Sequence, residues 1–401
     1  MGLFNRSKKS KEELELEKEQ NQLEHKIEQQ KADHAELSWP EIPPLNPMLI
    51  DGKTLHAADE LSDEEKEEIG NLIYLPELSG EKIKDFGLQQ LLYLLTAMEV
   101  YHHTYPLENF NTNRSIVVGE VMNRLRAAKE IFVVYDEQIP YPLLDNGMIS
   151  VYIDQAHAEE AAELYRKQFR KVKVRNFKMK DEEGNPLPHD FFEYTYYIGT
   201  SNIWLENGFY RMKVRSIDMG VPSFMLPNAA GANDLRNPEL SFSVIDFVDE
   251  AKWPVKYEKK QEVMKLKQNA MMSKLINAKL MIAIAIGENM PQQGQRLGLT
   301  ELKKLDVQFV PGQKGESFLA VFTDGVEFAK KFNIKEYANL VLDANSITTF
   351  LANSGDLAEK PLGIMLNPAG QRLVIKQEDL LKLQAAARKK KEEKASEEKE
   401  A

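Results

Sequence analysis

The side chains that most often hold metal ions or carry catalysis are sparse in this sequence. Its seven histidines are scattered, and only His102 and His103 are adjacent. Neighbouring residues on a helix point about 100° apart, so this pair is poorly placed to share a metal ion. The HExxH spacing of zinc sites does not occur either. We therefore predict no metal site.

Thiol nucleophiles and the common acyl-transfer and phosphate-binding patterns are also missing. The chain has no cysteine, which excludes thiol nucleophiles, thiolate zinc sites, iron–sulfur clusters and disulfides. It lacks the GxSxG, P-loop and GxGxxG patterns of acyl-transfer and nucleotide-binding sites. We therefore predict no catalytic residue and no cofactor, and the sequence favours a protein that is not an enzyme.

Several acidic side chains that could do chemistry have a simpler structural interpretation. Asp154 and Asp324 each follow an apolar run and precede a helical pattern. A carboxylate at that position accepts hydrogen bonds from the free N–H groups of the first helical turn. Glu327 stands three residues after Asp324, which is the spacing of a capping box. The acidic run 181–186 has the turn residues of a hairpin tip, which we favour over a calcium site.

Aromatic residues are dense between positions 191 and 210. Such rings pack in cores and between domains, form protein-binding faces, or stack on bases. Their surroundings are not basic, so we expect no nucleic-acid binding. Core packing and a protein-binding face both stay open. The candidate face consists of Tyr194, Tyr196, Tyr197 and Trp204.

The most informative feature of the chain is an internal duplication. Residues 121–134 align with residues 271–284, and methionine, leucine, alanine and lysine recur in place. Residues 150–154 and 320–324 form a second matched pair, each leading from an apolar strand into a helix. The order of the elements is the same in both copies, which predicts one domain repeated.

This pattern predicts an α+β chain with two tandem mixed-sheet domains preceded by a helical N-terminal region. The predicted boundaries are 1–38 for a charged helix or flexible N-terminus, 39–111 for a proline-rich connector and helical subdomain, 112–250 for a first, diverged domain, 255–384 for a second domain, and 385–401 for a charged tail.

Charge and hydropathy limit the partners that the chain can have. The net charge of −11 opposes nonspecific binding to nucleic acid. The longest apolar runs, such as 280–286, are far shorter than the ~20 residues of a membrane-spanning helix. Leu3 and Phe4, with Arg6, Lys8, Lys9 and Lys11, could give at most a weak peripheral membrane contact. The N-terminus lacks the apolar stretch of a secretory signal, so we expect a cytoplasmic protein.

Two segments of the second copy resemble a known family. Residues 318–324 (Phe-Leu-Ala-Val-Phe-Thr-Asp) resemble the strand-to-helix segment of the SseB family of bacterial cytoplasmic proteins, and residues 361–370 are similar to its Gly-apolar-Asn-Pro hairpin. Residues 112–250 look like a diverged copy that lacks an Asn-Pro hairpin. The resemblance implies a fold, and it implies no established enzymatic activity, cofactor or catalytic residue.

Two functions follow as hypotheses. The first is a non-enzymatic protein-interaction or regulatory protein with an unidentified protein partner, because the scaffold is duplicated, the aromatics are dense and catalytic motifs are missing. The charged N-terminal helix would be a second contact. The alternative is a sensor of, or an enzyme acting on, a small amino-acid-related metabolite, with a site between the two repeats.

Overall fold

The computed structural model of the protein describes residues 11–40, 45, 49–50, 53–187, 190–226, 234–287, 290, 297–355, 357, 359–386 and 389. The chain divides into two compact units. The first contains the described residues of Met1–Ile131 together with Tyr152–Leu164 and Leu205–Met212. The second contains Phe132–Val151, Tyr165–Trp204 and the described residues of Lys213–Ala401.

The N-terminal region is mostly helical. Its elements are α1 (Lys11–Asp33), the short strands β1 (Leu49–Ile50) and β2 (Lys53–Thr54), and the helices α2 (Asp63–Gly70), α3 (Gly80–Ile83), α4 (Leu88–Thr104) and α5 (Phe110–Ala127). Helix α2 begins with a capping box, in which the Ser62 side chain and the Glu65 side chain each bond the other's backbone N–H. Trp39 stacks on Tyr101 of α4, with ring centroids 4.9 Å apart.

The first sheet follows directly after α5. Its elements are β3 (Glu130–Asp136), β4 (Leu144–Asp145), β5 (Met148–Tyr152), α6 (Gln155–Lys167), β6 (Val172–Lys178), α7 (Phe191–Tyr197), β7 (Asn202–Glu206) and β8 (Arg211–Arg215). The central strands β3 and β5 are almost wholly buried. They read as continuous apolar runs because both of their faces are covered.

The second sheet is introduced by two helices. The elements are α8 (Pro238–Lys252), α9 (Lys260–Ile276), β9 (Lys279–Ala285), α10 (Leu299–Leu302), β10 (Phe309–Pro311), β11 (Ser317–Phe322), α11 (Gly325–Ala329), β12 (Tyr337–Asp343), α12 (Ala344–Ala352), β13 (Gly363–Leu366) and β14 (Leu373–Lys376). Strands β11 and β13 are parallel, whereas the β9–β11, β9–β12, β10–β11 and β13–β14 pairs are antiparallel.

Both sheets have the same strand order. The orders are β6-β3-β5-β7-β8, with β4 on β5, and β12-β9-β11-β13-β14, with β10 on β11. If the six strands of each copy are numbered in chain order, both sheets have the spatial order 4-1-3-5-6, and strand 2 pairs with strand 3. Such an agreement in a mixed sheet supports the predicted duplication.

The first strand of each copy shows how closely the two sheets correspond. In β3, the backbone N–H of Asp136 donates to the backbone carbonyl of Tyr141, and the N–H of Leu143 donates to the carbonyl of Val134. In β9, the N–H of Ala285 donates to the carbonyl of Asp306, and the N–H of Gln308 donates to the carbonyl of Ala283. Val134 is therefore the equivalent of Ala283, at an offset of 149 residues. The alignment at 150 residues is wrong by one position in this strand, although it matches Leu125 with Leu275 in the preceding helix.

The second sheet has a core rich in phenylalanine. Phe322, Phe328 and Phe332 form mutual ring contacts with centroids 5.2 to 5.7 Å apart. They pack with Met281, Phe318 and other buried side chains of β9, β10 and β11. Burying each such ring contributes roughly 2 to 3 kcal/mol. The strand-to-helix turn after β11 therefore has a rigid base.

The structure confirms the fold class: it has two mixed sheets and a helical N-terminal region.

The structure also shows a hairpin at the end of the first copy, where β7 and β8 are joined by residues 207–210. Asn207 takes the place of Asn367, but glycine follows it in place of proline. Helix α8 packs on α9, and Lys267 of α9 bonds Asp246 of α8 at 2.9 Å. The proposed domain boundaries stay a prediction.

Candidate functional site

The two segments that carry the family resemblance meet at one edge of the second sheet. Strands β11 and β13 are parallel neighbours, so the residues that follow them lie at the same edge. Thr323 donates its backbone N–H to Asn367 Oδ1 at 3.0 Å, and Asn367 Nδ2 donates to Thr323 Oγ1 at 3.0 Å. Thr323 Oγ1 in turn donates to Asp324 Oδ2 at 2.7 Å.

Asn367 suits this junction for two reasons. Its φ is +48°, in the left-handed region that asparagine tolerates better than most residues. Its side chain is fully buried and also donates to Gln371 Oε1 at 2.8 Å. The asparagine therefore closes the β13–β14 turn and fixes the start of α11.

The carboxylates beside this junction are held by protein groups. Asp324 Oδ1 accepts the Glu327 N–H at 3.0 Å, as predicted for an N-cap. Glu327 does not complete the predicted capping box. Its Oε1 instead accepts the Tyr141 hydroxyl at 2.7 Å and Lys330 Nζ at 2.5 Å. The buried Tyr141 hydroxyl and Lys330, one turn further on, therefore bind this carboxylate in place of the backbone N–H of Asp324.

Burial dominates the electrostatics of this cluster. The pKa of Asp324 is raised, first by burial and then by the nearby Glu327 carboxylate, against the hydrogen bonds that it accepts. Burial and the Glu327 carboxylate also raise the pKa of the Tyr141 hydroxyl. Tyr194 is shifted in the same direction, again mainly by burial. Both hydroxyls are therefore neutral at physiological pH, and that of Tyr141 acts as a hydrogen-bond donor to Glu327.

A cleft opens beside the cluster. It has a volume of about 540 Å³ and is lined by Tyr197, Asp234, Leu235, Gly325, Val326, Ala329 and Lys330. Lys330 lies between the cleft and the buried Glu327, and its Nζ is 5.8 Å from the ring centroid of Tyr194. The cleft combines an apolar wall with one cation and one carboxylate, which suits a small polar molecule.

The predicted aromatic face has its three tyrosines on α7 and its tryptophan on β7. Tyr194, Tyr196, Tyr197 and Trp204 are all half-buried. Tyr194 faces Lys330, while Tyr196 and Tyr197 contact Phe224 at centroid distances of 6.2 and 5.4 Å. Trp204 lies on β7 between Ile203 and Leu205, which are both buried and face the other side of the strand.

The segment that contacts Tyr196 and Tyr197 exposes apolar side chains. Val221, Met225 and Leu226 are 56%, 53% and 51% exposed. The guanidinium of Arg236 lies 3.9 Å from the ring centroid of Phe224. We call this set of residues the 221–226 surface. It consists of Val221, Phe224, Met225, Leu226, Arg236, Tyr196 and Tyr197.

Buried hydrogen bonds fix the 221–226 surface from below. Ser223 donates its N–H and its hydroxyl to the carboxylate of Glu193, at 3.0 and 2.8 Å. Glu193 is itself buried in α7. The exposed side chains therefore project from an anchored segment.

The other candidate sites have structural roles. His102 accepts the Leu107 N–H at 3.0 Å and stacks on Phe110. Asp181 accepts the N–H groups of Glu183 and Asn185 at the tip of the predicted hairpin.

Within the described residues there is no group of three or more histidines and carboxylates placed to hold a metal ion. No described helix is both long and apolar enough to cross a bilayer. The basic N-terminal residues, except Lys11, lie outside the described part.

These features define an α+β domain in which a strand-to-helix turn and an asparagine-led hairpin close one sheet edge. Residues 259–381 match the family model of the SseB protein N-terminal domain. The chain therefore contains a domain of this family, as the resemblance predicted. The match lies within the predicted second domain. No curated protein and no solved structure gives a significant match.

Three contributors to the site were not predicted from the sequence: Tyr141, Lys330 and Arg236. Tyr141 is 186 residues from Glu327, so no local pattern links the two. Lys330 is three residues from Glu327, a spacing that is common on any helix. Arg236 precedes the proline-led start of α8, and its stacking on Phe224 has no signal in the sequence.

Proposed function

We propose that this chain is a non-enzymatic protein-interaction or regulatory protein, and that the 221–226 surface binds its partner. The observation that carries the proposal is the exposure of Val221, Met225 and Leu226 beside an aromatic cluster. Tyrosine, phenylalanine, methionine and arginine are enriched at protein interfaces. Three large apolar side chains exposed by half or more within six residues favour a docking site over an ordinary surface.

Anchoring of this surface supports the proposal further. Because the Ser223–Glu193 bonds hold the segment, a partner does not have to order it, and less conformational entropy is lost on binding. The expected partner presents apolar side chains. Nucleic acid is a poor candidate because the net charge of the chain is −11.

Helix α1 is proposed as a second contact. Most of its described side chains are exposed, and its charged residues can pair with a partner of complementary charge. A truncation that tests it should remove residues 1–30 and keep His34, because His34 is buried and bonds the Tyr74 hydroxyl at 3.0 Å. Removing residues 1–38 would also take away that anchor.

Quantitative capture from native cells after mild cross-linking tests the docking surface. The double variant Met225→Asp with Leu226→Asp should abolish capture of the partner, because burying an unpaired carboxylate in an interface is energetically unfavourable. Leu266→Asp is the matched control, since Leu266 is 69% exposed on α9 and far along the chain from the surface. Equal capture by both variants would exclude the 221–226 surface.

A small amino-acid-related metabolite is the second candidate ligand, and the cleft beside Lys330 favours it. Lys330, which is paired with Glu327, and the carboxylate of Asp234 line the same opening. Thermal-shift screening of the intact protein against amino acids and their relatives tests it. A ligand should raise the melting temperature of the native protein and have no effect on Val326→Trp, which fills the cleft. A flat response across the screen would count against this function.

The site of action is proposed to be the bacterial cytoplasm, because the chain carries an SseB-type domain. Any membrane contact through the N-terminal residues is proposed to be weak. Fractionation of native cells tests this, and recovery of the protein with the membrane fraction at physiological salt would contradict it.

A further inference from the structure

In the second domain, Glu327 and Gly370 form a small recess, which we call a notch, and it holds a side chain from an earlier segment of the chain. Glu327 is the third residue after the cap Asp324, and its carboxylate is buried. Gly370 in the β13–β14 turn packs on it so closely that a β-carbon there would lie 2.6 Å from Glu327 Oε2 and would overlap the Tyr141 hydroxyl. Tyr141, from the segment between β3 and β4, fills the space and bonds Glu327.

The first domain has a notch at the same place. His157 is the third residue after the cap Asp154, and its side chain is only 14% exposed. Gly208, in the β7–β8 turn, packs on it, and a β-carbon there would lie 2.9 Å from His157 Cδ2. Glu60, from the N-terminal region, bonds His157 Nε2 at 2.8 Å. Nearby, Gln89 Nε2 donates to Asn207 O, so a second side chain of the N-terminal region reaches the same turn.

We propose that this notch is the site at which each sheet domain binds an earlier segment of the chain. In each domain the notch is formed by the third residue after the cap aspartate and by a glycine of the last hairpin turn. The N-terminal region docks through Glu60, and the β3–β4 segment docks through Tyr141. The contacting pairs differ in chemistry, His157 with Glu60 and Glu327 with Tyr141. Both notches lie beside the turn that joins the last two strands of their sheet.

The division of the chain into compact units agrees with this assignment. The pieces of the first domain that contain its notch, Tyr152–Leu164 and Leu205–Met212, belong to the unit of the N-terminal region. The piece that contains Tyr141, Phe132–Val151, belongs to the unit that holds the second notch. Each notch is therefore grouped with the segment that fills it.

A substitution at Gly370 tests the second notch. Gly370→Ala should expel the Tyr141 side chain and raise amide hydrogen exchange of residues 136–145 by about tenfold, which corresponds to the loss of roughly one buried hydrogen bond and its packing. Exchange of β9 should stay unchanged and report that the sheet is folded. Gly325→Ala is the control, because its β-carbon would meet nothing within 4 Å. Unchanged exchange of 136–145 in Gly370→Ala would overturn the proposal.

A charge exchange tests the first notch without depending on a glycine. Glu60→Lys and His157→Glu should each raise exchange of residues 54–62 about fivefold, and the double variant should restore protection because it re-forms an ion pair. Glu68→Lys, the same charge change at an exposed position of α2, should have no such effect. Failure of the double variant to restore protection would show that this pair does not dock the region.

Discussion

At the scale of single residues, Asn367 combines a backbone requirement with a hydrogen-bonding requirement. Its left-handed φ of +48° closes the turn, and its buried amide bonds Thr323 and Gln371. Proline at position 368 follows it directly. The sequence predicted the turn because Asn-Pro is a strong turn signal. It did not predict that the same side chain would reach 44 residues back along the chain to Thr323.

Substitutions at Asn367 should separate the two requirements. Asn367→Gly keeps the left-handed backbone and loses the side-chain bonds, so we expect it to lower the free energy of unfolding by about 2 to 3 kcal/mol. Asn367→Ala loses both and should cost about 1 kcal/mol more. Chemical denaturation measures both values. Equal losses would mean that the backbone conformation contributes nothing.

Other residues show where sequence reasoning stops. Asp324 was assigned as a cap from its position after a strand, and the structure confirms it. Glu327 was assigned to the same cap because of its spacing, and that was wrong, since Tyr141 and Lys330 offer it stronger partners. Local patterns predict local bonds. They carry no information about a partner from a distant segment.

At the scale of elements, the buried His34 directly after α1 anchors the end of that helix. His34 is packed against Tyr74, Tyr101 and Tyr105, with ring centroids 4.9 to 5.4 Å apart. Burial lowers its pKa below the usual 6.5, although Asp33 acts in the opposite direction. Of the charged groups nearby, Lys31 lies over the Tyr74 ring and Glu67 bonds Trp39.

A fall in pH should therefore weaken the packing of His34 that anchors the end of α1. Because the folded protein binds a proton at His34 less readily than the unfolded chain does, this contribution to stability is complete above pH 6.5 and is lost as the pH falls through the lower, folded-state pKa. Hydrogen exchange of residues 34–40 across this range measures it. His34→Gln should flatten the response, and His25→Gln, on the exposed face of the same helix, should keep it. A response that survives in His34→Gln would contradict the assignment.

Most elements could be predicted because their signals are local. The β13–β14 hairpin and the capped start of α11 were predicted close to their observed positions. The first-copy hairpin was missed because Asn207-Gly208 replaces the Asn-Pro pattern. The one-residue error in aligning the first strands has a physical cause: both strands are buried on both faces, so no alternation marks their register.

At the scale of the whole molecule, the duplication explains more than the sequence comparison does. The family match covers residues 259–381, whereas the shared strand order extends the same architecture to the first sheet. If the proposed docking is correct, both notches are filled from within the chain. An external partner then has to use a different surface, which agrees with the placement of the 221–226 surface outside both notches.

Photo-cross-linking from position 225 tests the proposed function most directly. Met225 would be replaced by the photoreactive residue p-benzoylphenylalanine in the native host, and Leu266 would be replaced in the same way as the exposed control. The account predicts a discrete protein adduct from position 225 that is lost when Leu226→Asp is added, and no such adduct from position 266. Adducts of equal yield from both positions, or none from position 225, would contradict it.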